Sequence, residues 1–394
     1  MRPSHGSLIK SLERVRQSAL WSRRNYSKPG DKMKVSRIHL ENFKRFDRID
    51  IEVRNGLTQD VAERFLILGD NGTGKTTILQ AVALCLSMAC GRTRDVTEFN
   101  WLGWLPGRYE KWGRPVVEID VSFDDGEIQA TQEAAHRWFE AKPRDRVFVS
   151  PGGSRQVTLR LESGTCSAPT DAELFQFWGR YYAAGLLGTD PGARALFDRL
   201  PGVFWFDQFR NLATPPPHFD EIPPEEKNGG RVSFDIGVAR LREHLNRWQL
   251  NRLTRPRSAW DYLQELERSF RQIFPGRSFG MPEPMYRGGV PSPEDFYFII
   301  NDGVRSYDIE EMSAGEQSVF PILYEFVRQR IRNSVVLIDE VDLNLHLPLA
   351  QALLAALPTM GIRCQFLLTT HSEAVRDVVS PEQVYRLPGG RLCL

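Results

Sequence analysis

Short, mainly apolar runs recur along the chain, at positions 65–68, 334–338 and 365–370. Each run is dominated by large aliphatic or aromatic side chains and is followed at once by polar residues. Such runs are typical of strands that are buried on both faces of a parallel sheet. We therefore expect a parallel sheet whose strands end beside polar loops.

Two other patterns predict different elements. Apolar and polar residues alternate at 117–123 and 157–161, which indicates antiparallel strands with one solvated face. The stretches 238–255 and 257–274 lack Gly and Pro and have helical periodicity. As helices they would be about 27 Å long, which excludes a long coiled-coil arm. A further helix is predicted after residue 317, with Val319, Leu323, Phe326 and Val327 on one face.

Composition and charge narrow the class of protein. The 394 residues carry 51 Lys and Arg against 50 Asp and Glu, so no overall field favours nucleic acid or membrane. Five cysteines lack Cys-x-x-Cys spacing, which predicts reduced thiols in the core and no metal ligands. No stretch approaches the ~20 apolar residues that span a bilayer. These features predict a cytoplasmic protein without a membrane partner.

The sequence loop 69–76, Gly-Asp-Asn-Gly-Thr-Gly-Lys-Thr, follows the first apolar run and precedes a helical pattern. In this context the spacing predicts a phosphate-binding P-loop. Glycines allow backbone N–H groups to converge on phosphates at a helix N-terminus, Lys75 supplies a cation, and the Thr76 hydroxyl is a ligand for Mg²⁺. The predicted ligand is ATP with Mg²⁺.

The run at 334–338 ends in Asp339 and Glu340. A buried strand that delivers two carboxylates at its end is the pattern of a Walker B element. Asp339 is predicted to hold Mg²⁺ through water, and Glu340 to orient and deprotonate the attacking water.

Residues 312–317, Met-Ser-Ala-Gly-Glu-Gln, which we name the signature turn, precede a helical pattern and lie just before this strand. The turn resembles the Leu-Ser-x-Gly-Glu/Gln signature of ABC-type ATPase heads of the SMC, RecF and overcoming-lysogeny group. The resemblance implies that Ser313 and Gly315 reach the γ-phosphate held by an opposite subunit. The same spacing also predicts a helix N-cap, and one set of atoms can serve both roles.

Other segments match the group in order. Residues 341–348 resemble the stretch that abuts the partner subunit, with Leu347 inserted between His346 and Pro348. His371, after the run at 365–370, matches the switch histidine that senses the γ-phosphate. Residues 40–46 resemble the opening strand and Phe-Arg turn, with Lys44 in the place of the arginine. Gln208 stands where these heads have a Q-loop glutamine, although a structural strand-end glutamine fits equally well.

The resemblance covers most of residues 33–394 and implies an α/β fold: a P-loop ATPase head with a mixed sheet, an added antiparallel β-subdomain and a helical subdomain. We predict a basic tail at 1–32, a first lobe at 33–214, the helical subdomain at 215–280 and a second lobe at 281–394. The candidate residues comprise the catalytic set Lys75, Glu340 and His371; the nucleotide-binding set Gly69, Asp70, Asn71, Gly72, Thr73, Gly74, Lys75, Thr76, Thr77, Ser313, Gly315 and Glu316; and the metal-binding set Thr76, Asp339 and Gln208.

Three regions leave alternatives open. The basic tail is an extension before a start at Met33, a docking segment or a transit peptide; we favour a disordered or partner-docking tail. The face with Arg240, His244 and Arg247 either follows a phosphate backbone or is a solvated face over a core stripe. The aromatic and basic residues at 101–114 either stack on a ligand or pack locally, and local packing is favoured.

The sequence therefore predicts an ATPase head that forms a homodimer, or a higher homo-oligomer, around ATP. Without a long coiled coil or an appended nuclease domain, it resembles the ATPases of anti-phage systems. That context implies a separate effector protein, a nuclease or a toxin. The alternative is a RecF-like DNA-repair ATPase that binds DNA directly. A transporter subunit is disfavoured by the predicted β-subdomain.

Overall fold

A computed structural model describes residues 32–93, 95–99, 101, 104–141, 148–208, 237–254, 261–285 and 292–388. The strands are β1 Lys34–Phe43, β2 Phe46–Glu52, β3 Arg64–Leu68, β4 Val116–Ser122, β5 Gln156–Glu162, β6 Thr165–Ser167, β7 Val203–Phe206, β8 Ser278–Phe279, β9 Glu283–Pro284, β10 Phe296–Tyr297, β11 Ile299–Asn301, β12 Ser306–Asp308, β13 Val335–Ile338, β14 Gln365–Thr370 and β15 Val384–Arg386. The α-helices are α1 Lys75–Ala89, α2 Asp125–Ala141, α3 Asp171–Phe175, α4 Gly179–Leu186, α5 Ala193–Leu196, α6 Val238–Thr254, α7 Tyr262–Ile273, α8 Ala314–Arg328, α9 Leu347–Met360 and α10 Glu373–Arg376.

A parallel sheet with the order β15-β3-β14-β13-β7 contains the predicted buried strands. Strands β7, β13 and β14 are buried along their whole length, as their continuous apolar sequences predict. Ile338 pairs with Leu368 on one side and with Phe206 on the other. The carboxyl ends of all these strands therefore meet at one edge of the sheet, the edge to which the P-loop and the Walker B residues belong.

A second, antiparallel sheet has the order β2-β1-β4-β5-β6. Strand β5 alternates between exposed and buried residues as predicted, whereas β4 is buried at five of its seven positions. Helix α1 packs between the two sheets, so 14 of its 15 residues are buried. Parallel and antiparallel pairing thus occur in separate sheets, and α1 connects the two.

The helices α6 to α9 and the other face of the parallel sheet share a second core. Helices α6 and α7 have 17 and 12 residues, so within the described chain neither is a long arm. The four residues predicted to share one face of α8, Val319, Leu323, Phe326 and Val327, are all buried, but burial extends beyond that face. Val319, Phe320, Ile322 and Leu323 are all fully buried, because the sheet lies on one side of α8 and helices on the other.

The structure shows local packing in both surface regions for which the sequence left alternatives open. Leu241 and Leu245 of α6 are buried, and His244 hydrogen bonds to the Tyr324 hydroxyl at 2.6 Å. Trp101, Trp104 and Tyr109 are buried in the core with α1, and only Trp112 of that aromatic group is exposed. These side chains therefore pack within the fold, while the two alternatives for the face with Arg240 and Arg247 stay predictions.

Some predictions lie outside the described residues, among them the tail before Lys32 and the boundary at 214–215. The four cysteines within the described chain, Cys85, Cys90, Cys166 and Cys364, are free thiols; Cys393 lies outside it. None of the described helices combines the length and the apolar character needed to cross a bilayer. The division into domains stays a prediction.

Candidate functional site

The loop between β3 and α1 has the backbone geometry of an anion cradle. Gly72 and Gly74 have φ values of +75° and +104°, in the left-handed region that favours glycine. A Cβ on Gly74 would lie 2.5 Å from the Phe46 ring, so the β1–β2 turn also requires glycine there. A Cβ on Gly72 would meet nothing within 4 Å, so at Gly72 the backbone conformation alone favours glycine. This shape fits a phosphate group at the start of α1.

Lys75 is the first residue of α1, and its side chain turns back across the loop. Its Nζ donates to the carbonyl oxygens of Gly69 at 2.8 Å and Asp70 at 3.0 Å, and the residue is buried. Burial lowers the pKa of Lys75, and the nearby carboxylates of Glu340 and Asp339 oppose that shift. A buried ammonium group held by neutral carbonyls is suited to bind an anion.

Asp339 and Thr76 meet at the mouth of the loop. Asp339 is completely buried, and its Oδ2 accepts a hydrogen bond from the Thr76 hydroxyl at 2.7 Å. Its Oδ1 accepts one from the Thr369 hydroxyl at 2.6 Å. Carboxylate and hydroxyl oxygens are hard ligands, and Mg²⁺ commonly binds one or two protein groups together with substrate phosphates. The two predicted ligands Thr76 and Asp339 therefore fit this ion.

Glu340 directly follows β13 in an unusual backbone conformation. Its φ is +44°, a left-handed value that is costly for a non-glycine residue and is often found at functional sites. Its backbone N–H donates to Thr369 Oγ1 at 2.7 Å. The chain therefore turns sharply after Asp339 and carries the half-buried Glu340 side chain away from the strand direction.

Gln208 and His371 lie at the same edge. Gln208 comes two residues after β7, whose Phe206 pairs with Ile338, and His371 directly follows β14 and is exposed. We name residues 69–77, 339–340 and 369–371 the nucleotide edge. His371 is thus part of the nucleotide edge, and the register of β7 places Gln208 close to it. The roles of both residues stay predictions.

The signature turn is held by its own hydrogen bonds. Ser313 is the N-cap of α8 and forms a capping box with Glu316, whose carboxylate lies 2.8 Å from the Ser313 hydroxyl. The other carboxylate oxygen of Glu316 accepts from Arg277 at 2.9 Å and from the Tyr307 hydroxyl at 2.8 Å. Burial would raise the pKa of Glu316, but the hydrogen bonds from Arg277, Ser313 and Tyr307 outweigh it and lower the pKa.

Gly315 brings the signature turn against the segment that follows Walker B. A Cβ on Gly315 would lie 3.3 Å from the backbone oxygen of Asn344 and 3.4 Å from the Leu345 side chain. Among the described residues, no hydrogen bond or ion pair connects residues 312–317 with residues 69–77. The structure brings Lys75, Thr76 and Asp339 together, and Ser313 and Gly315 form a separate group.

Sequence reasoning missed the partners of these residues. Thr369 bonds Asp339 and Glu340, while Arg277 and Tyr307 bond Glu316. The signal for Thr369 was present, because a hydroxyl at the end of a buried apolar strand requires a partner. Lys44 points toward α1: its Nζ donates to the Gln80 side chain and lies 5.3 Å from the centroid of the Trp104 ring.

Family models match two parts of the chain. Residues 37–140 match an AAA domain, and residues 215–377 match the model described as AAA domain, putative AbiEii toxin, Type IV TA system. The first match contains the P-loop, and the second contains the signature turn and Walker B.

Among named relatives, the Retron Ec83 probable ATPase of Escherichia coli is 23% identical over 417 residues, covering 92% of this chain and 73% of that protein. The Retron Vc95 probable ATPase of Vibrio cholerae serotype O1 biovar El Tor is 21% identical over 419 residues, covering 95% and 77%. The DNA replication and repair protein RecF of Stenotrophomonas maltophilia (strain R551-3) is 28% identical over 165 residues, covering 42% and 35%.

A solved structure, the SmcHead bound to the C-winged helix domain of ScpA, aligns with a TM-score of 0.45 and 15% identity, covering 87% of this chain and 91% of that one. This weak structural likeness adds no argument to the sequence matches. The AAA-domain matches and the retron relatives, together with the P-loop geometry, lead to one conclusion: the chain is an ATPase. It is similar to AAA domains and to RecF over parts of its length, and to the retron ATPases over most of it.

Proposed function

We propose that this ATPase forms a dimer around ATP and, through cycles of closure and hydrolysis, controls a partner effector in anti-phage defence. One observation carries the dimer: the nucleotide edge and the signature turn are separate groups in one chain, each with its own hydrogen-bond network. Two heads in opposite orientation would place each signature turn against the nucleotide of the other head.

At the nucleotide edge, each side chain has a proposed role. The N–H groups at the start of α1 and the Lys75 ammonium bind the phosphates. Thr76 and Asp339 would hold Mg²⁺, with Gln208 as a further candidate ligand, and the ion would supply positive charge to the phosphate oxygens. Glu340 orients and deprotonates the attacking water, and His371 is positioned to sense the γ-phosphate.

In the signature turn, the Ser313 hydroxyl and the N–H groups at the start of α8 would face the partner's nucleotide. The hydroxyl already lies at a helix N-terminus, where the backbone dipoles favour an anion. The bonds from Arg277 and Tyr307 hold Glu316 and thereby fix the turn before the partner arrives. ATP would then shift the population toward the closed dimer, and hydrolysis would release it.

The names of the two retron relatives support the defence context, because both are probable retron ATPases whose alignments cover more than 90% of this chain. The RecF match supports the second candidate, a DNA-repair ATPase that binds DNA directly, over 42% of the chain. The two candidates differ in the partner, a separate effector or DNA.

Sedimentation tests the proposed dimer. In a Glu340→Gln chain, which should retain ATP, addition of ATP and Mg²⁺ is expected to convert monomer to dimer in analytical ultracentrifugation, with ADP as the control nucleotide. A monomer at saturating ATP would contradict the proposal.

Purification of the same variant from native cells then separates the two contexts. A stoichiometric nuclease or toxin would support defence. Stimulation of the wild-type ATPase rate by DNA, without such a partner, would support the repair function.

A further inference from the structure

Two threonines end β14, a strand that is otherwise apolar after Gln365, and both are completely buried. Valine has the same shape, favours strands equally and is cheaper to bury than a hydroxyl. The two hydroxyl groups therefore call for a reason other than the stability of the strand.

The hydroxyl of Thr369 connects both Walker B carboxylate residues. It donates its hydrogen to Asp339 Oδ1 at 2.6 Å and accepts the backbone N–H of Glu340 at 2.7 Å. A hydroxyl has one hydrogen to donate and lone pairs to accept, so these two bonds are compatible. One buried oxygen atom thus links the predicted metal ligand to the backbone of the predicted base.

The bond to Asp339 limits rotation of the carboxylate. Thr76 holds Oδ2 from the P-loop, and Thr369 holds Oδ1 from β14. Without the Thr369 hydroxyl, Oδ1 would lose this donor, and one constraint on the direction of the carboxylate would be removed. A ligand that is fixed by partners around it binds a metal in a defined direction.

The bond to Glu340 stabilises a strained turn. Glu340 has a φ of +44°, and the neighbouring Val341 N–H donates to the Thr369 carbonyl at 3.0 Å. A valine at position 369 would retain the carbonyl bond and lose the hydroxyl bond. The two contributions can therefore be separated by one substitution.

We propose that Thr369 is a positioning residue of this ATPase, whose hydroxyl sets both the direction of the Asp339 carboxylate and the turn that presents Glu340. This inference rests on the roles proposed for Asp339 and Glu340. Thr369 acts through these two residues, so its loss reduces turnover more than it reduces ATP binding.

The test compares Thr369→Val, which removes the hydroxyl, with Thr369→Ser, which retains it. Each full-length variant is measured for kcat and KM, for the Kd of a fluorescent ATP analogue and for its melting temperature. We expect Thr369→Val to lower kcat at least tenfold with the Kd within threefold of wild type, and Thr369→Ser to stay within threefold in both. Thr131→Val is the matched control, because Thr131 is a buried threonine of α2 in the other part of the fold; its kcat should equal that of wild type.

A kcat of Thr369→Val within twofold of wild type would overturn the proposal, and so would a Thr369→Ser chain as slow as Thr369→Val. If Thr369→Val fails to fold, Thr369→Cys decides, because its thiol is only a weak donor; wild-type turnover in that variant would also refute the role of the hydroxyl. Glu340→Gln is assayed in parallel. If Glu340→Gln hydrolyses ATP at the wild-type rate, the proposed role of Glu340 is wrong. If Glu340→Gln is inactive while Thr369→Val is fully active, only the inference about Thr369 is wrong.

Discussion

The nucleotide edge and the signature turn both contain a hydroxyl hydrogen bonded to a buried carboxylate, but the pairs are built differently. Thr76 and Asp339 are 263 residues apart and are brought together by the parallel sheet. Ser313 and Glu316 are three residues apart and are brought together by one helix turn. The first pair therefore depends on the tertiary fold, while the second depends only on the local structure at the start of α8.

The partners of the two carboxylates also differ in charge. The hydroxyls of Thr76 and Thr369 orient Asp339 without neutralising it. The guanidinium of Arg277 balances the charge of Glu316. Hydroxyl donors orient a carboxylate and leave its charge for a cation, whereas a guanidinium that hydrogen bonds to a carboxylate pairs that charge directly. This contrast favours a chemical role for Asp339 and a structural role for Glu316.

The largest effect is expected from the two substitutions at the nucleotide edge that separate binding from turnover. Lys75→Ala removes the buried cation, and ATP binding should weaken at least 100-fold, about 2.7 kcal/mol. Glu340→Gln keeps the size of the side chain and removes the base, so ATP should bind within about threefold of wild type while kcat falls at least 100-fold, equally about 2.7 kcal/mol of barrier.

Titration calorimetry with ATP and a phosphate-release assay give both quantities for each variant. Lys34→Ala is a suitable control, because Lys34 lies in β1 and its Nζ is 3.8 Å from Glu63, outside the nucleotide edge. Equal loss of ATP binding in Lys75→Ala and Glu340→Gln would contradict the separate roles.

A second prediction concerns the signature turn. Ser313→Arg places a bulky cation where the partner's γ-phosphate would approach, so in the Glu340→Gln background the ATP-dependent dimer should be lost while ATP affinity stays within about threefold. Ultracentrifugation with and without ATP provides the measurement. Ser306→Arg is the control, because Ser306 lies at an exposed hairpin position. Ser318 is unsuitable, because it is buried in α8. An unchanged dimer in Ser313→Arg would show that the turn does not face the partner.

The contrast between the two regions also explains what the sequence made predictable. Local patterns identified β3, β13, β14, the P-loop and the N-cap at Ser313, because each depends on residues that are neighbours in the chain. The burial of α8 beyond its apolar face, at Phe320 and Ile322 among others, was not predicted, because the helices that cover it are contributed by distant segments.

The hydrogen-bond partners of the site were equally hidden. Thr369 reaches Asp339 across 30 residues, and Arg277 reaches Glu316 across 39. Spacing along the chain carries no information on such pairs, which depend on the order of the strands and on the packing of α7 beside α8. The motifs were therefore predictable, while the residues that orient them required the structure.

A third prediction tests whether Glu316 is a structural support. Arg277→Ala leaves a buried carboxylate with fewer donors, which should lower the free energy of unfolding by about 2 kcal/mol. The signature turn should loosen and the ATP-dependent dimer should weaken about tenfold, about 1.4 kcal/mol, with ATP binding to the monomer unchanged. Arg268→Ala is the control, because Arg268 pairs with Glu265 at the surface of α7. If Arg277→Ala weakened ATP binding and left the dimer intact, the two regions would not be independent in the way proposed.

The smallest effect is expected at Lys44, which links the β1–β2 turn of the antiparallel sheet to Gln80 of α1. Burial lowers the pKa of Lys44 to about 8 from its ordinary value of 10.5. Below pH 8 the lysine is charged in both the folded and the unfolded chain, so the folded state carries the cost of the buried charge. Between pH 8 and 10.5 the folded chain has released a proton that the unfolded chain retains, so the free energy of unfolding rises with pH in that window.

Lys44→Met abolishes this titration. The stability of wild type relative to Lys44→Met should therefore increase by about 1 kcal/mol from pH 7.5 to 9.5, less than the full shift because solvent reaches part of the side chain. Urea unfolding at the two pH values, with Lys34→Met as the control, measures the difference. A difference that stays constant with pH would show that Lys44 remains charged beside α1, and the lysine would then be a cation available to the nucleotide edge.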